Sequence, residues 1–281
     1  MKYRNVDLHC HSRASDGLLT PTQLVQRACG NGVDLLALTD HDTTGGLDEL
    51  HAAAAQEGLR CLNGVEISVS WGDDQTVHVV GLAFDRLDQQ LQTGLQRVRS
   101  GRDGRAHRIA AELERHGVAD AFAGALRHAG DAALLSRSHF ARYLVERGVA
   151  ADVKSVFEHW LAKGKPGYVE HPWAQLSEAV QWIRDAGGVA VLAHPLRYRL
   201  TAAQRKKLYG EFAALGGEAV EVVSGNCAAS EIDEMATVAR RHGFLASRAS
   251  DFHGPYESVD IGRPPSLPGG LTTLWSRWEK D

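Results

Sequence analysis

A chain of 281 residues exceeds a minimal domain and suits one large α/β domain carrying an insertion. Hydrophobic residues at 43% and charged residues at 23% place it among ordinary globular proteins. A formal charge of −4 and a pI near 6.4 exclude a general polyanion-binding surface and confine any nucleic-acid contact to a local patch.

Cys10, Cys29, Cys61 and Cys227 form no CxxC pair and no disulfide-like framework, which suits a reducing cytoplasm. The opening "MKYRNVDLHC" lacks the apolar core of a signal peptide, and no apolar run is long enough to span a membrane. The expectation is a soluble cytoplasmic protein with no membrane partner. Its oligomeric state is not written in the sequence.

In chain order, Val6 to His11 reads as a strand. Side chains two apart on a strand share a face, so His9 and His11 project side by side and Cys10 turns away. "LTPTQLVQRACGNG" predicts a helix with Thr20 as N-cap, Pro21 at the first helical position and Gly30 or Gly32 as the stop. "DLLALTDHD" is a short buried strand ending at Asp40, and a helix through "LDELHAAAAQEG" stops at Gly58. "RCLNGVEISVS" and "TVHVVGLAF" are two further strands joined by the polar turn "WGDDQ". From about Leu87 to Gly164 the text is helical, rich in Arg, Ala and His, and reads as an inserted subdomain. Alternation then resumes with helix "SEAVQWIRDAGG", strand "VAVLAH", helix "AAQRKKLYGEFAALGG", strand "AVEVVS", helix "SEIDEMATVARRHG" and strand "FLASRASDFH". Strands alternating with helices mean βαβ units and a mainly parallel sheet. About seven such strands fit a closed (β/α) barrel better than an open sheet, although sequence separates the two poorly.

Polar residues recur in or just after these strands. The first carries His9 and His11, with Asp16 on its loop, and the second carries Asp40 and His41. The third holds Glu66 and the fourth His78; His194 follows in "LAHP", and Asp251 and His253 in "SDFH". In a barrel, groups at the C-terminal strand ends converge on one site. His78 lies early in its strand and has to face inward to join them. Taken singly, an HxH pair is more often incidental, and Glu66 passes for a strand-end surface residue. Together, six imidazoles and several carboxylates buried unpaired would cost on the order of a whole domain's stability. Divalent cations remove that cost. Mixed His and carboxylate donors suit zinc, manganese or iron rather than calcium, and nine ligands match about three ions sharing a bridging carboxylate. The other histidines (His51, His107, His116, His128, His139, His159, His171 and His242) lie mostly in helical text and read mostly as surface residues.

The pieces "DLHCHSRASDG", "LTDHD", "GVEIS", "VHVVGL", "LAHP" and "SDFHG" resemble, in order and over most of the chain, the PHP family, named for its polymerase and histidinol phosphatase members. The resemblance implies a distorted (β/α)7 barrel over residues 1–86 and 165–281, with the helical segment 87–164 as a substrate-binding insertion. It implies a trinuclear site of divalent ions, manganese first and zinc or iron as alternatives. One metal would take His9, His11, Glu66 and Asp251, a second Glu66, His78 and His194, and a third Asp16, His41 and His253. No ligand position is substituted.

Within the family, "SGRDGRAHRIAAEL", "LSRSHFARYLVERG" and "KPGYVEH" resemble the stand-alone members that act on nucleoside 3′,5′-bisphosphates and on the 5′ ends of short RNAs. Arg102, Arg105 and Arg108 recur every third residue, roughly along one helix face, and guanidinium groups so placed can grip a phosphate. Ser136 and Arg137, read at another helix start, add a hydroxyl and a charge where helix termini favour anions. Without the resemblance, a solvated basic face explains these arginines about as well.

The chemistry implied is metal-assisted hydrolysis of the 3′-phosphate of a nucleoside 3′,5′-bisphosphate, giving adenosine 5′-monophosphate and phosphate from the adenosine substrate. Short RNA, cut 5′ to 3′, is a further candidate substrate. His194 and His253 help neutralise charge at phosphorus, and Asp40 supports the ligands. Two rival enzymes remain. Histidinol-phosphate phosphatase should want acidic residues where "RVRSGRDGRAHR" is basic, and a metal-dependent amidohydrolase usually wants a bridging lysine where Glu66 stands. A non-enzymatic RNA-binding or structural-metal protein fits less well, because structural zinc sites are closed and cysteine-rich.

Overall fold

The computed structural model describes residues 2–72, 75–129, 132–171 and 173–279. They form two compact units, Met1–Leu95 with Trp173–Asp281, and Gln96–Pro172.

The first unit is built from local signals that the sequence carries plainly. Strand β1 (Val6–Asp7) leads to helix α1 (Pro21–Gly30), where the Thr20 hydroxyl accepts from Gln23 N–H and the Gln23 side chain returns to Thr20 N–H. Strand β2 (Leu35–Leu38) is wholly buried, and helix α2 (Leu47–Glu57) ends at Gly58 in the left-handed conformation, φ +71°. Strands β3 (Arg60–Trp71) and β4 (Gln75–Leu82) form an antiparallel hairpin registered from Gly64 opposite Leu82 to Trp71 opposite Gln75. Helix α3 (Gln89–Arg115) runs from this unit into the second, which also holds α4 (Ala121–Ala129), α5 (Arg137–Glu146) and α6 (Val153–Val156). The first unit resumes with β5 (Ala174–Gln175), α7 (Leu176–Asp185), β6 (Val189–Leu192), α8 (Ala202–Ala214), β7 (Ala219–Ser224), α9 (Ala229–His242) and β8 (Leu245–Ala249).

The strands follow the order β1-β2-β3-β4-β6-β7-β8, with β5 off this path and paired to β3. Leu8 N–H donates to Arg248 O at 3.1 Å, and Cys10 bridges Phe252 in parallel, so the first strand meets the last. The result is a nearly closed seven-stranded barrel, as the alternation of strands and helices predicts. All its neighbours run parallel except β4, which is antiparallel to both β3 and β6; that reversal is the distortion. Regular β1 is shorter than the Val6–His11 strand expected, because beyond Asp7 the backbone contacts are single bridges rather than a ladder.

Apolar side chains from alternate strand positions fill the barrel: Val6 and Leu8, Leu35 and Ala37, Leu62, Val80 and Leu82, Val189, Val191 and Ala193, and Ala219. Trp275 and Trp278 pack against this cluster. The second unit has a separate core, centred on Ile109, Leu113, Phe140, Tyr143 and Leu161. There α4 and α5 approach closely because Gly124 has no side chain; a Cβ on it would lie 2.3 Å from the Tyr143 ring. The division falls after Leu95 and Pro172 rather than at 86/87 and 164/165. Leu91 and Leu95 are buried and Gly94 abuts the Trp182 indole of α7, whereas Val169 belongs to the helical core.

Candidate metal centre

Glu66, on β3, is the hub of a cluster of nine imidazole and carboxylate side chains in four overlapping groups. Its Oε1 lies 2.7 Å from His78 Nδ1 and 2.9 Å from His194 Nε2. Its Oε2 lies 2.8 Å from His41 Nδ1 and 3.4 Å from both His9 Nε2 and His11 Nε2. Asp251 Oδ1 sits 3.2 Å from His11 Nε2 and 3.3 Å from His9 Nε2. Asp16 completes the far side, 3.5 Å from His253 Nε2 and 3.8 Å from His11 Nδ1 and His41 Nε2. The side chains of His41, His78 and His253 keep 15–20% of their surface in water, while those of His9, His11, Asp16 and Glu66 are buried, so the cluster opens toward the first three.

Each ligand-like residue is placed by its backbone. His78 opposes Ser68 on the neighbouring strand, with Glu66 one diagonal step away on the same face. Because β4 is reversed, its early residues lie at the barrel end where the other strands finish, which resolves why His78 sits so near its strand's start. His194 follows Ala193, which already faces the barrel core, so strict alternation would turn it outward. Its φ of +26° breaks that alternation and brings Nε2 to Glu66. Asp251 likewise has φ +53°, and its N–H donates to His9 O at 2.8 Å. Strained backbone of this kind persists only where the surroundings over-determine it.

The charges explain why the cluster holds together. Burial opposes a carboxylate at Glu66, but His78, His41 and His9 outweigh it and keep the group well below the usual range. Burial likewise opposes charge on Asp251, and Arg197 with His9 overcomes it. His9 is raised well above an ordinary imidazole: burial works against its charge, and the Glu66, Glu221 and Asp251 carboxylates prevail. His11 is pushed down to about 3, first by burial and then by His253 and His41. His9 Nε2 and His11 Nε2 lie only 3.0 Å apart, and His11 Nδ1 and His194 Nδ1 are buried with no hydrogen-bond partner among the described residues. Imidazole nitrogens and carboxylate oxygens this close need a proton or a metal cation between them, and the carboxylate-rich surroundings favour either positive charge. The donor set fits divalent metal ions.

Asp40 does not join the cluster. Its Oδ1 accepts from Ser12 N–H at 2.8 Å and from Ser15 Oγ at 2.6 Å, and Oδ2 accepts from Ser12 Oγ at 2.6 Å. It therefore holds the loop that carries Asp16. Four supporting residues escape the sequence reading. Glu221 on β7 bonds His9; Arg197 pairs with Asp251; Asp42 accepts from Ser68 N–H at 2.7 Å; and the Tyr198 hydroxyl accepts from His78 N–H at 2.8 Å while donating to Ala193 O at 2.9 Å. An acid inside the apolar run "AVEVVS" is the signal that could have found Glu221.

In the helical unit, Arg102 and Arg105 on α3 are buried, and Arg105 Nε donates to Val169 O at 3.2 Å. Arg108 is exposed. At 3.6 residues per turn, a three-residue step falls about 60° short of a full turn, so the third arginine rotates off the face. Ser136 caps α5 and is buried; its N–H donates to His139 Nδ1 at 3.0 Å, which makes His139 a buried capping partner rather than a surface residue. Arg137, at the first position of α5, lies 5.7 Å from the Phe157 ring centre. Arg105 is pushed down to about 9, first by burial and then by the positive charges of Arg137, Arg102 and, least, Arg108.

Comparison with known proteins places this geometry. The chain is 48% identical, over 98% of its length and 96% of the relative's, to a Chromobacterium violaceum protein named 3′,5′-nucleoside bisphosphate phosphatase. It is 42% identical, over 98% of its length and 94% of the relative's, to the Salmonella typhimurium 5′-3′ exoribonuclease Rnm. The structure of an amidohydrolase from Chromobacterium violaceum, with bound sulfate and no metal, superposes with a TM-score of 0.94 at 48% identity, covering 98% of this chain and 95% of that one. The PHP-domain model matches residues 7–186, which carry Glu66 and five of the residues gathered round it. With its barrel, its histidine-carboxylate cluster and its relatives in agreement, this chain belongs to the PHP-domain family.

Proposed function

We propose that this protein is a metal-dependent phosphoesterase that removes the 3′-phosphate of nucleoside 3′,5′-bisphosphates, with short RNA degraded 5′ to 3′ as a second substrate. The observation that carries the reading is the convergence of His9, His11, Asp16, His41, Glu66, His78, His194, Asp251 and His253 on one end of the barrel. The similarity over 98% of the chain to a relative named for that phosphatase activity supports the substrate class, and the exoribonuclease relative supports the second substrate.

On this reading three ions, manganese first, are held by His9, His11, Glu66 and Asp251, by Glu66, His78 and His194, and by Asp16, His41 and His253. Divalent ions bound there would supply Lewis acidity, lowering the pKa of water and neutralising charge on the phosphoryl oxygens. His194 and His253 help neutralise charge at phosphorus, and Asp40 keeps the Asp16 loop in place. Arg102, Arg105, Ser136 and Arg137 hold the 5′-phosphate, so that binding remote from the reacting bond provides orientation. A helical insertion that binds substrate follows from the same reading. A cytoplasmic location suits the four cysteines, none of them in a disulfide.

The test is release of phosphate by the manganese-loaded protein from adenosine 3′,5′-bisphosphate, 5′-AMP, 3′-AMP and histidinol phosphate. Turnover confined to the bisphosphate is expected. Preference for histidinol phosphate, or equal hydrolysis of every monoester, would overturn the arginine anchor.

A further inference from the structure

Glu221 is buried on β7, two residues beyond Ala219 of the barrel core and on the same face. Its two oxygens do different work. Oε1 lies 2.6 Å from Nδ1 of His9, and Oε2 accepts from the backbone N–H of His194 at 2.8 Å. The other ring nitrogen of His9, Nε2, points into the cluster, within 3.4 Å of His11 Nε2, Glu66 Oε2 and Asp251 Oδ1. An imidazole that donates Nδ1–H to a carboxylate keeps its lone pair on Nε2, the form in which it binds a metal. At His194 the backbone occupies φ +26°, ψ +56°, a turn that L-residues rarely adopt. That turn aims His194 Nε2 at Glu66, and an acceptor on its N–H helps hold it.

We propose that Glu221 is a positioning residue that sets the tautomer of His9 with one oxygen and the backbone turn of His194 with the other, aiming both imidazoles at Glu66. The inference rests on the reading of His9 and His194 as metal ligands. Both tasks require an acceptor, and only a carboxylate offers two. A glutamine of the same shape has two arrangements. With its oxygen toward His9, its NH2 faces the His194 N–H, donor against donor. With its oxygen toward His194, its NH2 donates to His9 Nδ1, which moves the ring proton to Nε2 and removes the lone pair from the cluster. A residue that merely filled space would be replaced by glutamine without loss.

The experiment uses the full chain and zinc as the probe. Ring 15N resonances of His9 in the zinc-loaded wild type should show Nδ1 carrying the proton and Nε2 bound. Chelator competition should show zinc affinity reduced by roughly 10–100-fold in Glu221→Ala, the usual effect of losing such a partner. Glu221→Gln should be no better than Glu221→Ala. Wild-type affinity in Glu221→Gln, or a zinc-loaded wild type whose His9 carries its proton on Nε2, overturns the inference and leaves the metal reading standing. A wild type that takes up no zinc and no manganese overturns the metal reading and this inference with it. The wild-type spectrum decides the matter even if neither variant folds.

Discussion

Glu66 and His78 meet at 2.7 Å across the antiparallel pairing of β3 and β4. A parallel β4 would have carried His78 to the opposite end of the barrel from the other histidines. The reversal lets one carboxylate touch groups from four separate strand regions, and it makes Glu66 the side chain whose loss should be felt most widely.

Glu66→Gln should cost more than the roughly 10–100-fold typical of an outer partner, because it removes the charge that His9, His41 and His78 share. Metal content by mass spectrometry and phosphate release should fall together. A variant with full metal content and full turnover would show that Glu66 is not the hub.

Removing the metals should destabilise the fold itself. A site about 1,000-fold saturated contributes about 4 kcal/mol to the folded state. Dialysis against a chelator should lower the thermal midpoint, and added manganese should restore it. An unchanged midpoint would mean that the cluster binds ions too weakly to matter.

The three donors on Asp40 predict different outcomes for two substitutions. Asp40→Asn keeps an acceptor for Ser12 N–H and Ser15 Oγ and can donate to the Ser12 hydroxyl, so activity should stay within about tenfold of wild type. Asp40→Ala leaves those donors unpaired and should cost about 1–3 kcal/mol in denaturant unfolding. Abolished turnover in a well-folded Asp40→Asn would instead mark Asp40 as a participant in the reaction.

Arg102→Ala should raise KM for adenosine 3′,5′-bisphosphate by roughly 10–100-fold, the equivalent of one charge-assisted hydrogen bond of about 1.5–3 kcal/mol. Turnover at saturating bisphosphate should change little. A fall in kcat at unchanged KM, together with a lowered thermal midpoint, would place Arg102 in the fold rather than in substrate recognition. Arg108→Ala, on the exposed face of α3, serves as the control.

Acid stability should depend on Asp260. Its carboxylate accepts two bonds from Arg27, at 2.5 and 2.9 Å; burial opposes its charge, but the bonds from Arg27 and Asn31 lower its pKa below the unfolded value. The folded state therefore binds the proton less readily than the unfolded chain. The stabilisation is fully present above the unfolded carboxylate pKa and is lost as pH falls through the lowered folded value. Both partners are about one-third exposed, so Asp260→Asn should cost about 0.5–1 kcal/mol near neutral pH. The difference from wild type should vanish in acid, and urea titrations at several pH values read it directly. A constant difference across that range would assign the effect to packing.

Much of the fold was legible because its signals are local. The capping box at Thr20, the left-handed stop at Gly58 and the all-buried run at Leu35–Leu38 are each settled by a few neighbouring residues, and they recover the alternation of a (β/α) barrel. Most of the residues gathered at Glu66 were visible for the same reason, since they stand where an apolar strand gives way to a loop; Glu66 within β3 and His78 near the start of β4 are the exceptions. What the sequence alone could not decide depends on partners far along the chain. The direction of β4 is a matter of which strands it pairs with, the inward turn of His194 requires a φ that no local pattern announces, and Glu221 gains its meaning only when β7 carries it to His9, 212 residues away. Composition and spacing thus determined which chemistry the chain can hold. Strand pairing and backbone handedness, which are long-range and steric, decided how those groups face one another.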